Sequence, residues 1–252
     1  MPSVAWLTIA PVKGLGLLDC DELELQPHGV TENRRFYLID ENGRKINQKD
    51  CGILVQVRPR WDEERSRLAL AFPDGSVVEG IVEAAEPVTS DFYGGPVEGR
   101  LVPGPWSEAL SAYAGRPLRL VQAAKPGGGI DRPNGTITLL STGSLAALGG
   151  RLGTDVDPRR FRMLIGVDGT AAHEEDEWIG RPVRIGEALV RPLGHVGRCA
   201  VTTQNPETGT PDLNTLKAIR SYREDGTEPI PFGVWGEVAE PGCVRLGDPV
   251  QI

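Results

Sequence analysis

The run HVGRCAVTTQNPETGTPDLNTLKAIRSYR, residues 195–223, carries the chain's best candidate for chemistry, the thiol of Cys199. A thiolate is the protein ligand that suits a soft or sulfur-rich metal centre, and a neighbouring guanidinium favours the thiolate form. Arg198 supplies that charge in sequence. Cys199 is therefore predicted to be a metal ligand. A free cysteine is otherwise a small buried hydrophobe, and that reading is kept for Cys20, Cys51 and Cys243, which lack comparable flanks. If a strand continues past Cys199, the side chains of Thr202 and Thr203 point to opposite faces. Thr202 is the one taken as a hydrogen-bonding contact on the metal side.

Other chemistries fit less well. His195 lies four residues before Cys199 and suggests a cysteine nucleophile activated by an imidazole. No orienting third group or cysteine-protease signature accompanies it. A zinc site would need two more ligands, and no paired Cys or His motif offers them. His173, beside the acidic run Glu174 to Glu177, reads as a loop residue, and Asn205 to Gly209 reads as a turn without chemistry. The stretch AKPGGGIDRPNGT, Ala123 to Thr136, is rich in glycine but has no Gly-Lys-Ser/Thr opening a helix, so it reads as a linker and not as a phosphate loop.

The elements that must position Cys199 are mostly strands. Glu24 to Gln26, Arg35 to Asp40, Leu54 to Arg58, Leu68 to Phe72 and Val77 to Val82 have strand character, with Asn42-Gly43 and Asp74-Gly75 as turn signals. Helical spacing appears at Trp106, Leu110 and Tyr113 before Gly115, at Leu145 and Leu148 before Gly149-Gly150, and at Leu213, Leu216 and Ile219 after an Asp212 cap. The expected class is mainly β with a few packing helices (α+β), cut at the glycine-rich stretch into residues 1–124 and 125–252.

Composition narrows the partners. A net charge of −8 over 252 residues, without a basic cluster, argues against nucleic acid. Four cysteines without short-range pairing fit reduced intracellular thiols. No apolar run reaches the length of a membrane span and no signal-peptide pattern opens the chain, so a soluble cytoplasmic protein with no membrane partner is expected.

Taken together, PVKG (Pro11–Gly14), RRFYLID (Arg34–Asp40), LLSTGSLAALGGRL (Leu139–Leu152), RRFRMLIGV (Arg159–Val167), the Cys199 run, FGVWGEV and VRLGDPVQI resemble the MOSC domain family in the family's order. That family includes molybdenum-cofactor sulfurases and amidoxime reducing components. The resemblance implies a smaller N-terminal β domain followed by a MOSC-type β-barrel. It also implies a molybdenum cofactor (Mo-molybdopterin) whose metal is held by one protein cysteine, at the position of Cys199. Lys13, Gly14, Arg35, Arg162 and Arg198 fall among the cofactor-binding positions, with Arg34 the competitor of Arg35. Ser141 is either a helix N-cap or a pterin contact, the cap being favoured.

Two departures stand out. Gly14 replaces a serine common in relatives, leaving a backbone N–H for the phosphate. RKINQKDCG stands where relatives carry Thr-Ala-Arg-Gln, so Lys49 offers a point charge in place of a forked guanidinium. The implied activity is two-electron reduction of N-hydroxylated small molecules, with electrons from a separate ferredoxin- or cytochrome-type protein. The alternatives are a sulfur carrier with a persulfide on Cys199 and a non-catalytic cofactor-binding domain.

Overall fold

A computed structural model describes residues 1–92, 95–127, 135–223 and 228–252. Residues 128–134 of the predicted linker lie outside the described residues. The first half supplies β1 (Ser3–Ile9), β2 (Leu18–Asp19), β3 (Glu22–Leu25), β4 (Phe36–Ile39), β5 (Lys45–Ile46), β6 (Arg58–Asp62), β7 (Arg67–Ala71), β8 (Val77–Ile81), β9 (Pro87–Phe92), β10 (Gly95–Leu101), helix α1 (Pro105–Ala114) and β11 (Arg119–Ala123). The second supplies β12 (Ile137–Ser141), α2 (Thr142–Leu152), β13 (Ile165–Asp168), β14 (Val183–Ile185), β15 (Ala188–Gly197), α3 (Thr215–Arg220), β16 (Pro231–Glu240), β17 (Gly242–Arg245) and β18 (Val250–Gln251).

An eight-stranded sheet runs β18-β14-β15-β16-β12-β13-β1-β2, so its far edge is built from the chain's first strands. β12 and β13 are parallel and joined through α2; the other pairs in this sheet are antiparallel. Two further sheets, β5-β4-β11-β10-β9 and β6-β7-β8, form the N-terminal part, and β17 pairs with β3. The mainly β class with few helices is thus present. Trp178, Leu7, Ile165 and Val234 centre one core, and Phe36, Trp61, Trp106 and Leu120 centre a second. The Phe36 and Trp61 rings meet edge to face at 4.9 Å, a preferred aromatic geometry. A third core packs α2 and α3 through Leu148 and Ile219 against Phe161 and Phe232. Among the described residues no helix is long and apolar enough to cross a membrane.

Local expectations need three corrections. Leu54 to Arg58 is not one strand: Gly52–Gln56 is a 3-10 helix and the strand starts at Arg58. Leu54, Val55 and Val57 are all buried, which period-2 alternation cannot achieve for neighbours. Helix α2 passes through Gly149-Gly150 and stops at Gly153, whose φ of 71° makes it the left-handed C-cap. α3 is capped by Asn214, whose side chain accepts from Lys217 N, because Asp212 is held by Arg160.

Candidate functional site

β15 ends at Gly197 and delivers Cys199 to an exposed position at the start of a 3-10 turn, Ala200–Thr203. The turn closes where Thr202 N and Thr202 Oγ1 both donate to the Cys199 carbonyl at 3.1 Å. Thr202 Oγ1 also bonds Thr215 Oγ1 at 2.8 Å. The expected strand beyond Cys199 is therefore absent, and the Thr202 hydroxyl serves the turn. Thr203 Oγ1 closes it further by donating to Ala200 O.

Cys199 borders a cavity of about 480 Å³ that brings together Lys13, Gly14, Arg34, Lys45, Lys49, Arg160, Arg162, Arg198 and Thr202. Seven of these are cationic and, among the described residues, no acidic side chain lines the cavity. In a chain of net charge −8 this is a concentrated positive lining, the kind that draws an anionic ligand. Its size is ordinary for a small-molecule or cofactor site.

Arg34 and Arg162 also line a small recess of about 20 Å³ that adjoins the cavity. Both lie in the left-handed backbone region, at φ 55° and 53°, which non-glycine residues occupy at a cost of about 1 kcal/mol or more. Arg34 N donates to Ala10 O, and Arg162 N donates to Arg159 O at the end of the 3-10 helix Pro158–Phe161. Arg35 is turned elsewhere. Its Nη1 donates to Ala123 O at 2.7 Å and its Nε lies 3.5 Å from Glu63 Oε2. Of the two neighbours, Arg34 and not Arg35 borders the cavity, and Arg34 is the residue with the left-handed backbone just before β4.

The other arginines near Arg162 have separate duties. Arg159 pairs with Asp157 and Glu207, and Glu207 in turn meets Arg58 at 3.2 Å. Arg160, with a nearly buried side chain, grips Asp212 bidentately at 2.6 and 2.9 Å and donates to Gln204 O. Arg198 was expected as the thiol's countercharge, yet its guanidinium donates to the carbonyls of Phe161 and Phe232.

The opposite wall comes from the N-terminal half. Gly14, at φ 91°, approaches Asn47 so closely that a Cβ would lie 2.9 Å from its Cα, and Lys13 N is held by Phe36 O. Asn47 Oδ1 accepts from Lys49 N, and Gln204 Nε2 donates to Gln48 O at 2.9 Å, tying this wall to the end of the Cys199 turn. Asn205 Oδ1 accepts from Glu207 N and Thr208 N, which makes the predicted turn an Asx-type one.

Ser141 is the N-cap of α2: its Oγ accepts from Ser144 N at 3.0 Å. Behind the turn lies a polar cluster that sequence reading missed. Glu175 is fully buried and accepts from Ser144 Oγ at 2.7 Å, and burial pushes its carboxyl pKa up. His173 lies near the rings of Tyr222 and Phe232, where burial, then the Arg223 charge, lower its pKa to about 4. His195 Nε2 faces Asp176 Oδ1 at 3.4 Å and Arg223 reaches Asp176 Oδ2 at 2.6 Å. His173, expected as a loop residue, stands at the N-cap of the 3-10 helix Glu174–Trp178, whose Glu175 and Trp178 are buried.

The MOSC domain matches residues 127–251 and the MOSC N-terminal beta barrel domain matches residues 1–100. Mitochondrial amidoxime-reducing component 1 of Xenopus laevis is 27% identical over 98% of this chain and 81% of its own length. The human protein of that name is 26% identical over 99% and 82%. Molybdenum cofactor sulfurase of Oryza sativa is 25% identical over 90% of this chain and 31% of its own length. Among solved structures, the YUAD protein of Bacillus subtilis aligns over 99% of this chain and 94% of its own at 13% identity and a TM-score of 0.45.

Proposed function

We propose, for a chain that belongs to the MOSC domain family, that it binds a molybdenum cofactor at Cys199 and reduces N-hydroxylated small molecules in the cytoplasm. The observation that carries this reading is the pairing of one exposed thiol with a lining that, among the described residues, holds seven cationic and no acidic side chains. Among the described residues no group of three His, Cys, Asp or Glu side chains could hold a bare metal ion. A metal at Cys199 must then bring most of its ligands with it, and a sulfur-chelating, phosphate-bearing pterin does so.

The residues fit that group. Lys13, the Gly14 N–H, Arg34 and Arg162 would hold its phosphate end, and Cys199 would ligate the metal. When bound, the group supplies two-electron abstraction of oxygen from an N–OH substrate. The chain's own part is to offset the ligand's negative charge and to hold the thiol at an open edge that a substrate can reach. Residues 1–124 would contribute the lysine-bearing wall and residues 125–252 the Cys199 side. Electrons would come from a separate ferredoxin- or cytochrome-type protein.

The test is molybdenum quantification, with fluorescence of the released and oxidised pterin, on protein made in a host that synthesises the cofactor. Near-stoichiometric metal and pterin support the reading. Folded protein free of both would refute it, and sulfane sulfur on Cys199 in their place would establish the sulfur-carrier alternative.

A further inference from the structure

Arg198 precedes Cys199 in the chain, yet its guanidinium points back into the protein. Nη1 donates to Phe161 O at 3.0 Å and Nε to Phe232 O at 2.8 Å. Nη2 donates to the same Phe232 carbonyl and reaches Met163 Sδ at 2.9 Å. The guanidinium carbon lies 5.1 Å from the Phe161 ring centroid, and that ring stacks on Phe232 at 4.7 Å. Phe161 and Met163 are the two neighbours of Arg162, whose backbone is in the left-handed region. One planar fork thus holds both sides of Arg162 and the start of β16, while its own backbone carries Cys199.

We infer that Arg198 is a positioning residue, which sets the spacing between the Cys199 thiol and the Arg162 guanidinium through its forked contacts as well as adding to the charge of the lining. The geometry stands by itself; the ligand's identity rests on the function proposed above. A lysine cannot replace the fork, because a single ammonium cannot present donors in three fixed directions within one plane. Charge-assisted donation to carbonyls makes each of these contacts stronger than a neutral one.

The experiment compares Arg198→Lys, Arg162→Lys and the double variant with the parent. Cofactor retention after gel filtration is read as pterin fluorescence, and hydrogen exchange is measured on cofactor-free protein over residues 159–165 and 196–204. Arg198→Lys is expected to lower retention about ten-fold and to speed exchange in both segments together. Added to Arg162→Lys, it should lower retention further by no more than about two-fold, the limit at which the two sites still act as one. Losses that multiply in the double variant, or unchanged exchange over residues 159–165, would overturn the inference. If the lysine variant does not fold, Arg198→Ala supplemented with millimolar guanidinium ion decides it: restored slow exchange supports the positioning role, and no restoration refutes it. A parent that holds no pterin would refute the molybdenum reading alone, since the exchange measurement needs no ligand.

Discussion

Gly52 and Gly209 meet backbone to backbone across the two halves of the chain. A Cβ built on Gly52 would lie 2.2 Å from Gly209 O, and one built on Gly209 would lie 2.0 Å from Gly52 O. No side chain could enter this contact without parting the Cys51–Gln56 segment from the Asn205–Gly209 turn. The contact lies beside the Gln48–Gln204 hydrogen bond that joins the cavity's walls. Gly209→Ala should therefore cost on the order of 2–4 kcal/mol, combining the overlap with the strain at φ 75°. Urea unfolding measures it, and a cost below about 0.5 kcal/mol would show that the seam yields freely.

Cys199→Ala should abolish turnover while changing stability by no more than about 0.5 kcal/mol, because the side chain is exposed and no core contact is lost. Cys243→Ala is the control and should keep activity. Parent-like activity in the Cys199 variant at equal metal loading would remove the ligand assignment.

Arg34 and Arg35 should separate cleanly. Arg34→Gly relieves a left-handed backbone, so stability should stay within about 1 kcal/mol of the parent. Cofactor affinity should still fall about ten- to hundred-fold as a charge-assisted contact is lost. Arg35→Ala removes the bond to Ala123 O and the Glu63 pair, which should lower the melting temperature and leave occupancy near the parent's. The reverse pattern would restore Arg35 as the phosphate contact.

His173 should leave a mark on the acid limb of the stability profile. Its folded pKa of about 4 lies below the ordinary 6.5, so between these values the unfolded chain holds a proton that the folded chain rejects. Its contribution is then fully present above about pH 6.5 and is lost as pH falls toward 4, amounting to roughly 2–3 kcal/mol. Glu175, with its pKa raised, pulls in the opposite direction, so the comparison must be with His173→Asn, a residue that tolerates the left-handed backbone. Melting temperatures from pH 4 to 8 should fall less steeply on the acid side in that variant. Parallel curves would contradict the shift.

Reduced methyl viologen should drive reduction of an amidoxime by loaded protein, whereas NADH alone should not. The four cysteines contain no C-x₄-C-x₂-C run for an iron–sulfur cluster and no Rossmann fingerprint accompanies them. NADH-driven turnover by homogeneous protein would overturn the need for a separate electron donor.

What could be read from the residues, and what could not, follows from range. Hairpins around Asn42-Gly43 and Asp74-Gly75 and the helix stopped by Gly115 are local, and they formed as their turn and cap chemistry dictates. Cys199 stood out through its flanks. That Arg34 and not Arg35 borders the cavity was not legible, because neither composition nor period announces a left-handed residue just before a strand. The direction of the Arg198 fork was hidden for a similar reason: its partners, the Phe161 and Phe232 carbonyls, lie more than thirty residues away on either side. Asp212 lost its cap to Asn214 because a buried arginine claimed it.

The placement of the chain's first strand inside a sheet built mostly from its second half has a consequence during synthesis. β1 finds its main partner only when Ile165–Asp168 exists, and β3 waits for Gly242–Arg245. The chain must therefore be synthesised at least through Arg245 before these pairings can form, and such distant pairing is slow to form. Until then apolar residues such as Leu7 and Ile9 remain open to wrong partners. The lining that runs from Lys13 to Trp235 likewise cannot form before Trp235 has been made, so any ligand of this cavity must be acquired after both halves of the chain have come together.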